Sequence, residues 1–245
     1  RGHGKTARTP ADLGYFADQA GWGKILSDVY CINHLARRTW VQKPIIVLGH
    51  SMGSFVLQSY ITHYGNTMQA AIFSGTDGKV GAAMRQVALS IIQMNTLWYG
   101  ARNKSKFTRA ISFGAFNKPF KPNRTEADWL SRDEAEVDAY VADPLCGYTC
   151  TNQLWIDLFK AMGDAQQPAA LARIPKQMPI YAICGTRDAA ARMGKGTSDL
   201  KTAYQKAGIA NVTVKLYPDA RHELFNETNR DAVTEEMIAW LDSTI

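Results

Sequence analysis

Nowhere does this sequence hold anything near the roughly 20 uninterrupted apolar residues that a membrane-spanning helix requires. Its best apolar stretches, 44–48 and 87–92, fall far short of that length. A cytoplasmic protein is expected, peripheral to a membrane at most. The cysteines are few and scattered: Cys31, Cys146, Cys150 and Cys184 form no Cys-x-x-Cys pair and no His/Cys cluster at zinc spacing. Ordinary reduced thiols and no metal are the expectation. The chain opens Arg-Gly-His-Gly-Lys-Thr, without an initiating methionine or a signal peptide. It is expected to begin inside a longer protein, with its targeting information upstream. There is no repeat and no low-complexity tract, and nothing points to a nucleic-acid partner.

Acidic residues are missing from one segment. Residues 78–125 hold nine basic side chains (Lys79, Arg85, Arg102, Lys104, Lys106, Arg109, Lys118, Lys121, Arg124) and no acidic one, so the net charge of +6 resides there. The next stretch reverses the sign, with Glu126, Asp128, Asp133, Glu134, Glu136, Asp138 and Asp143 against Arg132. Two readings stay open: a solvated surface whose halves neutralise each other, or a basic patch that meets an anionic membrane surface.

What is present is an ordinary globular composition, 46% hydrophobic and 20% charged over 245 residues. That suits one large domain with an insertion better than two domains. Short β-branched apolar runs bounded by Gly, Pro or Asp predict buried strands at 44–49, 68–74, 178–185 and 212–217. Helical spacing recurs at 23–40, 52–64, 200–208 and 228–241. Strand alternating with helix means a mostly parallel sheet flanked by helices. Residues 77–176 are the exception: about a hundred residues without a strand-like run, where a crossover needs only a dozen or more. They are expected to form a helical cap, with segments at 84–99, 134–141 and 152–162, inserted between core parts 1–76 and 177–245. Trp98, Tyr99, Phe107, Phe113, Phe116 and Phe120 crowd this cap, either lining an acyl pocket or packing the cap onto the body.

Gly49-His50-Ser51-Met52-Gly53 follows the first strand directly and opens a helix. A strand-to-helix turn this sharp strains the serine backbone and requires small flanking residues. The Ser51 hydroxyl is left at a helix N-terminus, where unpaired N–H groups favour developing negative charge. Such a hydroxyl needs a base, and the base needs an orienting acid. His222 follows the last strand, at the carboxyl end of the sheet beside Ser51. His50 should point away from Ser51 inside the turn, His34 and His63 lie in helices, and His3 belongs to the opening loop. For the acid, Asp188 follows the third strand. Asp219 is the rival, three residues before His222 and poorly placed to reach the far side of its ring. The order Ser51, Asp188, His222 is the chain order of the α/β-hydrolase fold.

The opening Arg-Gly-His-Gly, the turn Gly-His-Ser-Met-Gly, the Gly-x-x-Asp loop and the closing Ala-Arg-His-Glu-Leu-Phe-Asn-Glu together resemble the monoacylglycerol lipase and lysophospholipase branch of the α/β hydrolases. The tail pattern of Arg221, His222, Glu223 and Glu227 is its most specific part. The resemblance implies a cap over the active site and hydrolysis of monoacylglycerols, lysophospholipids or simple esters, with no metal or organic cofactor. It further implies an oxyanion hole built from the Met52 N–H and a second donor on an early His-Gly motif. That motif and its strands are not in this sequence, and His3-Gly4 is a different loop. Additional residues upstream of Arg1, in the same polypeptide or as a separate chain, are therefore expected. A thioesterase, amidase or C–C hydrolase on the same residues is the alternative, as is a ligand-binding protein that hydrolyses slowly.

Overall fold

A computed structural model describes residues 1–78, 81–105, 109 and 114–245. Of the residues singled out above, Lys79, Lys106, Phe107 and Phe113 lie outside that description.

The chain enters through α1 (Gly21–Thr39), β1 (Ile46–His50), α2 (Met52–Tyr64) and β2 (Ala70–Ser74). Among the described residues there follow α3 (Ala82–Tyr99), α4 (Glu134–Ala142), α5 (Asn152–Asp164) and α6 (Pro168–Ala172). It closes with β3 (Ile180–Gly185), α7 (Lys195–Lys206), β4 (Val212–Tyr217) and α8 (Arg230–Thr244). The strands form a four-stranded parallel sheet in the order β1-β2-β3-β4. Its register pairs Leu48 with Ile72, Phe73 with Ala182 and Cys184 with Leu216. Parallel strands carried by helical crossovers are covered on both faces, so their sequences run continuously apolar rather than alternating. Every residue of β2 and β3 is accordingly buried. β1 lies at an edge among the described residues, and its Leu48 is 42% exposed.

One face of the sheet meets α1, α2 and α5 through Leu57, Tyr60, Ile61, Phe73, Leu154 and Trp155. The other face meets α8 through Ile72, Tyr181, Ile183, Leu224 and Val233. α5 therefore belongs to the main core, and α3, which packs against it, adds Leu89 and Ile92 to the same core. Two helices of this region are started by side chains: Asp133 accepts from Ala135 N at 3.1 Å and Thr151 from Leu154 N at 3.3 Å. Such caps satisfy an otherwise orphaned helix-end N–H. α7 begins five residues before its expected start, and Gly196 in its first turn is a packing glycine. A Cβ there would stand 2.6 Å from the Asp77 carboxyl carbon. α6 was not expected; Pro168 in its first turn is compatible with a helix start, where an N–H goes unused.

The basic segment finds partners beyond itself. Arg102 pairs with Asp18 at 3.2 Å, Arg109 with Glu126 at 3.0 Å and Arg124 with Asp138 at 2.6 Å. The cap aromatics divide. Phe116 and Phe120 join Trp129, Leu130, Val137 and Ala190 in a cluster of their own, whereas Trp98 and Tyr99 are 80% and 70% exposed. Among the described residues no helix is long and apolar enough to cross a membrane.

Candidate active site

The turn after β1 strains the backbone as its sequence requires. Ser51 sits at φ 52°, ψ −121°, a region costing of order 1–3 kcal/mol for a residue with a side chain. It is held there by its own N–H, which donates to the Ser74 carbonyl at the end of β2 at 2.9 Å. Gly49 is essential to the crossing, since a Cβ there would run into the Gly53 carbonyl. A Cβ on Gly53 would meet nothing within 4 Å among the described atoms, so only the first glycine of the motif is demanded by them. Met52 is the first residue of α2, and its N–H belongs to the unpaired first turn. Ser54, one turn on, fastens the helix by donating to the Ser51 carbonyl at 2.6 Å, with Thr76 Oγ1 2.9 Å from the same hydroxyl.

Asp188 and His222 come from loops after adjacent strands β3 and β4, and both are buried, at 0% and 2% exposed. His222 Nδ1 lies 2.9 Å from Asp188 Oδ2. A carboxylate only accepts, so the proton sits on Nδ1 and Nε2 is left with its lone pair. Nε2 is buried and has no hydrogen-bond partner among the described residues. The other oxygen, Asp188 Oδ1, accepts from Ala190 N at 2.9 Å and Ala191 N at 3.1 Å, which fixes the carboxylate plane. Burial alone would push His222 down, but the charge and hydrogen bond of Asp188 outweigh it and raise the imidazole above its ordinary range. Burial likewise pushes Asp188 up, and its imidazole partner with the N–H donors brings it net below the usual carboxylate range. Asp219 is exposed, its N–H tied to Thr186 Oγ1 at 2.8 Å; of the two candidate acids, Asp188 is the one beside the imidazole.

Several neighbours escaped the sequence reading. Gly75, at φ +60°, leaves room for the pair: a Cβ there would lie 2.8 Å from His222 Cε1 and 3.0 Å from Nδ1. A residue right after a buried strand gives no local sign of such a contact. Arg192 clamps Asp77 in two hydrogen bonds at 2.7 and 2.8 Å and reaches Asp199 at 2.7 Å, tying the Asp188 loop to the end of β2. His50 is turned toward the site rather than away. Its ring centroid is 4.8 Å from that of His222, and its Nδ1 is 3.1 Å from Ser74 Oγ. Burial, then the neighbouring charge of His222, pulls His50 down to about 3, so it stays neutral. Trp129 lies 5.0 Å from the His222 ring, and Phe116 lies behind it at 5.1 Å. The remaining histidines are accounted for elsewhere: His34 stacks on Tyr30, His63 Nδ1 is 2.9 Å from the Ser59 carbonyl, and His3 lies against Phe16 and Tyr148.

A strained serine at a helix start and a buried imidazole oriented by a carboxylate form the constellation that performs nucleophilic acyl transfer on several unrelated folds.

Comparison with known proteins shows what the chain is similar to. A monoacylglycerol lipase of Mycolicibacterium smegmatis is 21% identical over 243 residues, covering 99% of this chain and 76% of the relative. Among solved structures, a thermostable carboxyl esterase of Bacillus coagulans superposes with a TM-score of 0.89 at 24% identity, over 99% of this chain and 78% of that one. A soluble variant of monoglyceride lipase from Saccharomyces cerevisiae follows at 0.72 and 17%, over 100% and 75% of the two chains. The fold is thereby that of the α/β hydrolases. The family described as serine aminopeptidase, S33 matches residues 1–229, and the chain belongs to that family of hydrolases.

Proposed function

We propose that this protein hydrolyses carboxylic esters of lipid type through an acyl-enzyme on Ser51. The observation that carries the reading is the buried Asp188–His222 pair, with its unpartnered Nε2, on the same sheet edge as the strained Ser51. His222 Nε2 takes the Ser51 proton as the hydroxyl attacks the ester carbonyl, then returns it to the departing alcohol. Water repeats the sequence on the acyl-enzyme. Asp188 holds the tautomer and stabilises the imidazolium, and the Met52 N–H supplies an oxyanion donor. Monoacylglycerols, lysophospholipids and simple acyl esters are the substrate class, in keeping with the lipases and esterases it resembles.

Residues 77–176 serve in this reading as a cap, with α5 as the seam to the body. The outer face of α3 adds support for peripheral contact with anionic lipid. Met84, Val87, Met94, Leu97 and Trp98 are each 60% exposed or more on that one helix, within the segment that carries the excess of cations.

A fluorophosphonate probe tests the reading: it is expected to label Ser51, and Ser51→Ala is expected to remove turnover of an activated ester. Labelling of another serine would sink it. Because the family is described as an aminopeptidase, an aminoacyl arylamide belongs in the same assay. Faster turnover of the amide than of the ester would replace the substrate class while leaving the residues in place.

A further inference from the structure

Catalysis by a histidine base depends on where its ring is held, and Asp188 fastens only one edge of His222. The rest of the ring is enclosed by side chains that have no part in proton transfer. Among the described residues, Trp129 of the cap region, itself 8% exposed, lies against it with ring centroids 5.0 Å apart. It is carried by the loop 124–133, which is stitched to the histidine loop 221–229 at many points. Glu223 N donates to the Leu130 carbonyl at 2.8 Å, and Ser131 Oγ to the Asn226 carbonyl at 2.7 Å. Arg221 Nη1 donates to the Ser131 carbonyl at 2.9 Å and to the Asp128 carbonyl.

At the centre of the stitching is Glu227, a carboxylate with no exposure at all. It accepts from Arg132 Nε at 2.8 Å, from Arg132 N at 3.2 Å, from Thr228 N at 3.0 Å and from Arg221 N, the residue before His222, at 2.7 Å. A buried charge satisfied on all sides is worth little for stability against an apolar replacement, but removing one partner strands the others, so such a hub holds geometry. Arg132 continues to Asn229 Oδ1 at 3.0 Å, and Arg230 reaches back to Asp133 at 2.8 Å. The two loops therefore form one unit, and its apolar product is the placement of the Trp129 ring on the His222 ring.

We propose that loop 124–133 is a clamp on the catalytic histidine, with Trp129 as a positioning residue and Glu227 as the residue that sets the clamp. The role rests on the ester-hydrolase reading above, since it concerns the same His222.

The test measures kcat, KM and melting temperature for p-nitrophenyl butyrate hydrolysis, together with the downfield proton resonance of His222 Nδ1–H. Misplacement of a reacting group by about 1 Å can lower turnover about 100-fold. Trp129→Ala is expected to lower kcat about 10- to 100-fold with KM within about twofold, and to broaden the resonance as water reaches the ring. Trp129→Phe, which keeps an aromatic face, should recover most of kcat and the sharp line. Glu227→Gln should lower kcat in the same way. The double variant Trp129→Ala/Glu227→Gln should be no worse than the worse single one, because both act through one placement. A Trp129→Ala protein with wild-type kcat and a sharp resonance overturns the clamp, whatever its melting temperature. So does a rise in KM alone, which would make the ring a substrate contact. If the wild type neither turns over the ester nor takes the probe at Ser51, it is the functional reading that fails, and the resonance in Trp129→Ala and Trp129→Phe still decides the clamp.

Discussion

Gly75→Ala isolates the space behind the Asp188–His222 pair. The added methyl would begin 2.8 Å from His222 Cε1, 3.0 Å from Nδ1 and 3.3 Å from Asp188 Oδ2. Carbon atoms are at ease about 3.5–4.0 Å apart, so the imidazole must retreat by roughly 0.7–1.2 Å. It cannot retreat freely, because the rings of His50 and Trp129 stand 4.8 and 5.0 Å from its centre. The substitution also places alanine at φ +60°, in the left-handed region, which costs about 1–2 kcal/mol. Two separable losses follow: stability falls by about that amount, and kcat falls by about 100-fold from the displaced base. Gly23→Ala is the control, since a Cβ there meets nothing within 4 Å and φ is ordinary. Within α1 it should be neutral or stabilising by up to about 1 kcal/mol and leave turnover unchanged. Thermal unfolding with steady-state kinetics on both variants reads the two effects independently. A Gly75→Ala protein that is folded and as active as wild type would refute the placement of His222 against β2.

Asp188→Asn should keep its fold yet lose several orders of magnitude in kcat, since an amide can present its N–H to Nδ1 and favour the wrong tautomer; Asp219→Asn should stay near wild type, and the reverse ranking would reassign the acid. The pH profile of kcat/KM should rise through one ionisation with its midpoint above the ordinary imidazole range, because Asp188 raises His222 and only the neutral ring accepts a proton. The same pair gives stability the opposite sign: the raised histidine stabilises the fold below its unfolded value and loses that contribution as pH rises through its folded one. A midpoint below the ordinary range would contradict the pairing. His50, down at about 3, should add no second limb between pH 5 and 9, and His50→Gln should leave the midpoint in place to within a few tenths of a unit. Sedimentation with anionic vesicles at low salt should exceed that with neutral ones and fall on Leu97→Glu with Trp98→Glu; equal sedimentation with both would remove the lipid-surface proposal.

Much of the framework was legible because its signals are local. A buried parallel strand is a short apolar run, and a helix over it repeats near 3.6 residues, so all four strands and most of the helices lie within a few residues of where periodicity puts them. Ser51 was legible for the same reason, a motif at a strand-to-helix junction, and His222 because one histidine follows the last strand. Periodicity placed the start of α7 five residues late, and Gly196 within the added turn packs against the Asp77 carboxylate. Composition misled at the cap, where a single crowd of aromatics divides between a buried cluster and an exposed helix face.

What sequence determines by itself is thus which segments become strands and helices, and which residue types stand at the carboxyl ends of the strands. The tertiary structure decided which of those residues meet. Asp188 rather than Asp219 reaches the imidazole because β3 and β4 are neighbours in register and their loops cross closely, at Gly185, where a Cβ would strike the Ala220 carbonyl. Trp129 comes to His222 through hydrogen bonds between loops more than 90 residues apart in sequence, with Glu227 of the histidine loop accepting at their centre. No local pattern encodes such a contact, because its geometry depends on how the intervening helices pack and only then on the side chains that close it.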